Sequence, residues 1–261
     1  MTAPRAIVVL HGFLGSRRNV ATLARRLGEH LPSLTVTALD LAGHGEGRPL
    51  PPGADLTALA RAVLDDARAP GVPTPLAIVG HSLGGRVALR AGLLEPAAIA
   101  HVTLLDIGPS ARKSDGETGD VVAALLAAPD SAPSREVFRA HFRAAGLAPD
   151  IVEWLLLNLE PTSGGYRWRI DRAALGALRE RTAAEDLWPA VEGPHDYSLH
   201  CVRGARSGYV SDEDARRLTA AGCPVDTIEG AGHFLHVERP AEVVERILAR
   251  FPHARHPIAS R

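Results

Sequence analysis

The chain has 261 residues, 46% of them hydrophobic and 23% charged, with a formal net charge of −1. That length suits one large or two small domains and a core that needs no staples. The balance excludes a disordered or fibrous chain, and it offers no basic face for nucleic acid or an anionic membrane. Two cysteines, Cys201 and Cys223, make neither a disulfide framework nor a zinc knuckle and suit a reducing compartment. The apolar run Ala6–Leu10 is too short for a signal-peptide core, and no stretch approaches the ~20 apolar residues of a bilayer span, so the expected location is the cytoplasm.

Six short apolar runs punctuate the chain: Ala6–Leu10, Thr35–Leu39, Leu76–Val79, His101–Leu105, Ser198–Val202 and Val225–Ile228. Each is bounded by Gly, Pro, Asp or His and reads as a strand buried on both faces of a parallel sheet. Helical spacing fills most of the gaps. Asn19–His30 places Val20, Leu23, Ala24 and Leu27 on one face, and Leu56–Ala69 does the same with Leu59, Ala60, Val63 and Leu64. Ser82–Leu94 and Pro240–Arg250 are two more helices. This alternation predicts an α/β fold of about six strands, with right-handed crossovers.

The rhythm breaks between the fourth and fifth strands. Asp120–Ala128, Ser134–Ala145, Pro149–Leu157 and Arg172–Ala183 read as helices, and no convincing strand lies between Ile107 and Tyr197. A plain loop of that length is implausible. The expectation is a core of residues 1–107 and 198–261 with a helical cap, 108–197, over one end of the sheet. The tail from Pro252 to Arg261 has no periodicity and is expected to fray.

Chemistry gathers at the strand ends. Gly80-His81-Ser82-Leu83-Gly84 follows a buried strand and opens a helix, the strand–turn–helix context of a G-x-S-x-G nucleophile elbow. A Cβ at Gly80 or Gly84 would collide with neighbouring backbone, and Ser82 is pushed into a strained conformation above a helix N-terminus. Unpaired N–H groups there can hold a developing oxyanion. His11-Gly12-Phe13-Leu14-Gly15 follows the first strand and bends another N–H toward the elbow, so the backbone N–H groups of Phe13 and Leu83 are the expected oxyanion hole. A serine needs a base within hydrogen-bond reach. His233, in the loop Gly230-Ala231-Gly232-His233 after the last strand, has the right context. His236 is read as structural, His81 as pointing away from Ser82, and His44 as bracing the loop after the second strand. No HExxH or close Cys/His cluster suggests a metal.

These three motifs, in this order and spacing, resemble the α/β-hydrolase family over nearly the whole chain. The resemblance implies a Ser–acid–His triad in that chain order and no cofactor, and the two leading strands usual in the family are missing here. The position where most members carry the acid holds Ser207, in Arg203-Gly204-Ala205-Arg206-Ser207, and serine cannot hold charge against an imidazolium. Asp212 and Asp214 lie further on, at a helix start. Asp106, at the end of the apolar run HVTLL, is the preferred acid, because a carboxylate there is costly unless paired and His233 is a plausible partner; Asp212 is the second choice.

That arrangement is similar to a branch of small esterases, the YbfF-like bacterial enzymes and their mitochondrial relatives. Asp106-Ile107-Gly108-Pro109, Asn158-Leu159-Glu160 and Gly165–Ile170 share the likeness. The resemblance implies hydrolysis of small-molecule carboxylic esters, extending to thioesters such as acyl-CoA, with Ser207 hydrogen-bonding within the triad. Leu14, Phe138, Trp154, Leu155, Tyr209 and Phe234, with Phe13, are the expected apolar acyl pocket. Rival readings are a lyase of the menaquinone-pathway type, a carbon–carbon bond hydrolase, and a non-catalytic binding module on the same scaffold. The oligomeric state is left open.

Overall fold

The computed structural model describes residues 3–68, 71–112 and 117–252. Six parallel strands form the main sheet: β1 (Ala6–Leu10), β2 (Thr35–Leu39), β3 (Leu76–His81), β4 (Ile99–Leu105), β8 (Ser198–Gly204) and β9 (Val225–Ile228), in the order β2-β1-β3-β4-β8-β9. The central strands β1, β3 and β4 are buried throughout, and their alternate side chains feed two separate cores. Ile7, Val9, Ala77 and Val79 pack with Leu23, Leu27, Val243 and Ile247, from α1 (Ala21–His30) and α11 (Pro240–Arg250). Ala6, Val8, Leu10 and Ile78 pack on the opposite face with α2 (Leu56–Arg68) and α3 (Leu83–Leu94). The strands expected at Thr35–Leu39 and Val225–Ile228 form, but as edges: they are only partly buried, because each has a neighbour on one side alone.

The segment between β4 and β8 contains α4 (Glu117–Ala127), β5 (Ser131–Ala132), α5 (Arg135–Ala144), α6 (Pro149–Leu156), β6 (Leu159–Thr162), β7 (Gly165–Trp168), α7 (Arg172–Ala184) and α8 (Pro189–Glu192). The expectation of no strand here is corrected. A three-stranded antiparallel sheet, β5-β7-β6, is built on a hairpin that turns through Ser163-Gly164. A small residue followed by Gly between Thr162 and the Tyr166–Trp168 stretch is a hairpin signal that the helical rhythm around it masks. Among the described residues, α9 (Asp212–Ala220) and α10 (Leu235–Glu238) complete the α-helices. The expected frayed tail lies outside the described residues beyond Pro252, as do Ala69 and the chain's single lysine, Lys113.

Register places chemistry along one edge. Gly80 is level with Leu10 and Leu104, and Leu105 is level with Val202. The residues after β1, β3, β4 and β8 therefore emerge side by side at the carboxyl edge, where open parallel sheets bind ligands. The inserted segment is tied to this edge by buried Asn158, whose Nδ2 donates to the Leu14 carbonyl at 3.0 Å. Asn158→Ala strands that carbonyl. It should lower unfolding free energy by about 1–3 kcal/mol in urea titrations, and an unchanged midpoint would show that the tie carries no load.

Candidate active site

Ser82 sits between β3 and α3 at φ 51° and ψ −117°, a backbone conformation that side chains rarely adopt. Packing enforces it. A Cβ on Gly80 would lie 2.4 Å from the Gly84 carbonyl group, and one on Gly84 would lie 2.7 Å from the His11 carbonyl oxygen. The Ser82 N–H donates to the Leu105 carbonyl at 3.1 Å, which anchors the bend to the neighbouring strand. A Cβ on Gly12 would lie 3.2 Å from Ser82 Cβ, so the loop after β1 runs directly against the serine. Phe13 and Leu83 flank Ser82 on the wall of one cavity.

Asp106 follows β4, also with positive φ, 51°, and is completely buried. Three groups donate to its carboxylate. The Gly204 N–H reaches Oδ1 at 2.9 Å, His233 Nδ1 reaches Oδ2 at 2.8 Å, and the Ser207 hydroxyl also bonds Oδ2. Ser207 Oγ in turn accepts the Tyr209 N–H at 3.2 Å, which fixes the hydroxyl's direction. With Nδ1–H given to the carboxylate, the lone pair of the His233 ring resides on Nε2. The ring is 19% exposed and stacks on Tyr209, centroid to centroid 3.7 Å at 16°. The second-choice acid is elsewhere: the Asp212 side chain is 88% exposed and pairs with Arg203 at 2.8 Å. Asp214 accepts from Ser110 Oγ at 2.5 Å.

His81, expected to point away from Ser82, reaches across to the loop after β9. Its Nε2 donates to the His233 carbonyl at 2.9 Å, and its ring lies 4.7 Å from that of His233 and 4.3 Å from that of His236. The residue beside the nucleophile thus braces the loop that carries His233. Burial, then the neighbouring imidazoles of His236 and His233, push the His81 pKa well below its ordinary value. Burial and His233 lower that of His236 to about 4. His44 accords with the loop-bracing expectation: its Nδ1 donates to the Ala42 carbonyl at 3.0 Å, and burial and His11 lower its pKa to about 3.

Ser82, Leu83, Phe13, Ser207 and His233 line a cavity of about 680 Å³. Of the expected acyl-pocket residues, Trp154, Tyr209 and Phe234 line it as well. Leu14, Phe138 and Leu155 are corrected: each is buried but absent from the wall. Phe138 packs edge-on to Trp168, centroids 5.3 Å apart, while the carbonyls of Leu14 and Leu155 face Asn158. Apolarity marked these three, and burial in the core uses the same property. Several polar wall residues had no sequence signal, among them Arg86, Arg112 and Arg179. No group of three or more metal-ligating side chains occurs among the described residues, and no helix among them is long and apolar enough to cross a membrane.

A strand-to-helix elbow carrying serine, with a histidine loop after the last strand, is the arrangement of the alpha/beta hydrolase family, whose model matches residues 7–246; the chain belongs to that family. Lipase LipV of Mycobacterium tuberculosis is 30% identical over 95% of this chain and 94% of its own length. Esterase YbfF of Escherichia coli is 27% identical over 92% of this chain and 91% of its own, and the mouse sn-1-specific diacylglycerol lipase ABHD11 is 26% identical over 93% and 79%. A marine microorganism esterase superposes with a TM-score of 0.81 at 21% identity, covering 95% of both chains. These relatives place the chain among carboxylesterase-type hydrolases.

Unfolded histidines titrate near pH 6.5, whereas His236 does so at about 4 in the folded chain. Between these values the unfolded chain binds more protons, so stability rises with pH. It should be fully present above about pH 6.5 and fall as pH drops toward about 4. Urea midpoints from neutral pH downward should show this slope, and His236→Gln should make it shallower, the remainder coming from other buried histidines, among them His44 and His81; equal slopes in both proteins would contradict the account.

Proposed function

We propose that the chain hydrolyses carboxylic esters of small molecules through an acyl-enzyme, with Ser82 as nucleophile, His233 as base and Asp106 as the orienting acid. The observation that carries this is the buried Asp106 carboxylate bonded to His233 Nδ1 on the wall of a cavity that Ser82 shares. As Ser82 Oγ attacks the ester carbonyl, its proton passes to His233 Nε2. Asp106 holds the ring's tautomer and stabilises the imidazolium. The carbonyl oxygen becomes an oxyanion, which the N–H groups of Phe13 and Leu83 stabilise; such a donor is worth about 10²–10³ in rate. The tetrahedral adduct collapses, and the alcohol leaves with the proton from His233. Water then repeats the sequence, releasing the acid and restoring Ser82.

Ser207 supports the triad by donating to the oxygen that also receives His233, which keeps negative charge on Asp106. Trp154, Tyr209 and Phe234 supply the apolar part of the substrate pocket. Residues 108–197 act as the lid over a core of 1–107 and 198–261, with α8 resting on α3 of the core. Thioesters fit the same chemistry, because a thiolate is a good leaving group.

A fluorophosphonate should label the wild-type protein and not Ser82→Ala, and p-nitrophenyl acetate should be hydrolysed. Folded wild-type protein inert to both would favour a binding module. Asp106→Asn should lose about 10³–10⁴ in kcat, while Asp212→Asn keeps wild-type rates; the opposite pattern would move the acid. A companion series of acyl-CoA thioesters decides whether thioesters belong to the range.

A further inference from the structure

Four arginines line the cavity: Arg86, Arg112, Arg179 and Arg206. Three are tied into the protein by hydrogen bonds from their guanidinium groups. Arg86 donates Nε to the Thr182 carbonyl (3.1 Å), Nη1 to those of Gly108 and Ser110 (3.2 and 3.0 Å), and Nη2 to that of Glu185. Arg206 pairs with Glu238 at 2.9 Å. Arg112 lies 4.5 Å over the Tyr209 ring and donates to the Tyr209 carbonyl at 3.0 Å. Arg179 differs. It stands on α7 one turn before Thr182 and Ala183, which share the cavity wall, and no hydrogen bond or ion pair occupies its guanidinium among the described residues.

The surroundings make that vacancy costly. Arg179 is half-buried, and burial is the main influence lowering its pKa; Tyr209 pulls the other way, and Arg112 adds a smaller like-charge repulsion. Neither acid on the same wall pairs with it. Glu238 is held by Arg206 and the Gly232 N–H, and Asp150 is exposed at the start of α6, accepting from its neighbour Ile151. Ile107, Val121 and Ile151 supply apolar surface nearby. A partly desolvated cation without a counter-charge is disfavoured unless a ligand completes it. The planar fork of a guanidinium matches a carboxylate or phosphate with two parallel hydrogen bonds. Its position is also informative: Arg179 shares the cavity wall with Ser82, His233 and Tyr209, and Tyr209 lies flat against His233. The unpaired cation thus faces the same cavity as the reacting groups.

We propose that Arg179 is a specificity-determining residue that binds an anionic group, a carboxylate or phosphate, carried by the ester away from its scissile carbonyl. The preferred substrates are then anionic esters, with Arg112 strengthening the field while its own donors stay on Tyr209. This deepens the ester-hydrolase reading and rests on it.

The test compares matched pairs of substrates. One pair is p-nitrophenyl heptanoate and the mono-p-nitrophenyl ester of pimelic acid, which adds a carboxylate to the acyl side. The other is monooctanoylglycerol and its glycerol-phosphate counterpart, which adds a phosphate to the alcohol side. The wild-type enzyme should favour the anionic member of at least one pair by about tenfold or more in kcat/KM, the worth of one charge-assisted contact, expressed mainly in KM. Added salt should shrink that ratio. Arg179→Gln and Arg179→Met should bring the anionic-to-neutral ratio near one and remove its salt dependence, and Arg179→Lys should keep part of it. A wild-type enzyme that hydrolyses the neutral esters but prefers neither anionic partner overturns the proposal and leaves the ester-hydrolase reading standing. So does a preference that survives in both neutral variants. If those variants fail to fold, the wild-type ratio and its salt dependence decide. Failure of all four esters, together with failure of fluorophosphonate labelling, takes down both readings.

Discussion

A carboxylate without water around it survives only where donors surround it, and Asp106 is surrounded by three. Those donors come from separate parts of the chain: the end of β8, the turn after it, and the loop after β9. One buried charge therefore sets the spacing of three segments at the carboxyl edge of the sheet. It also selects the tautomer of His233, because a ring nitrogen facing a carboxylate carries the proton. Without this carboxylate, the His233 loop would keep its bond to His81 but lose the reason for its ring to sit where it does.

The strained backbone is distributed to the same edge. Ser82 and Asp106 both have positive φ and follow adjacent strands, β3 and β4. Neither could hold that conformation alone. The glycines of the elbow let the start of α3 close on β3 and β1, and the sheet's hydrogen bonds extend one residue beyond each strand, from Ser82 to Leu105 and from Asp106 to Val202. A rigid parallel sheet, packed on both faces, supplies the stiffness that keeps the two residues strained.

Histidines crowd this edge, yet their environments separate them. His81, His236 and His44 are buried and held neutral, and His81 and His44 donate to backbone carbonyls. His233 alone combines a carboxylate partner with partial exposure to the cavity. The cavity wall is shared with helices of the inserted segment, which supply Asp150 and Arg179 to its charged lining. The family match and the esterase and lipase relatives make the chain a hydrolase of its family. The inserted helices bring Arg179 to the same cavity wall.

Much of this was legible in the linear chain. Strand positions followed from short apolar runs between breakers, since a strand buried on both faces has no room for polar residues. The elbow was legible because tight packing admits only glycine at Gly80 and Gly84, and Asp106 because an acid at the end of an apolar run demands a partner. Tertiary structure alone decided the rest. Edge position left β2 and β9 half-exposed despite sequences like those of central strands. The hairpin at Gly165–Trp168 was hidden by the helical rhythm around it, and the third strand of its sheet pairs at a distance no local pattern shows, as in Ser131 with Arg167, 36 residues apart. Burial sent Leu14, Phe138 and Leu155 into the core and left Trp154, Tyr209 and Phe234 on the cavity wall, although all six are apolar or aromatic. Local sequence encodes which groups must avoid water or need a partner; which partner they meet is a property of distant segments brought together, and for His81 and Arg112 only the folded chain supplied it.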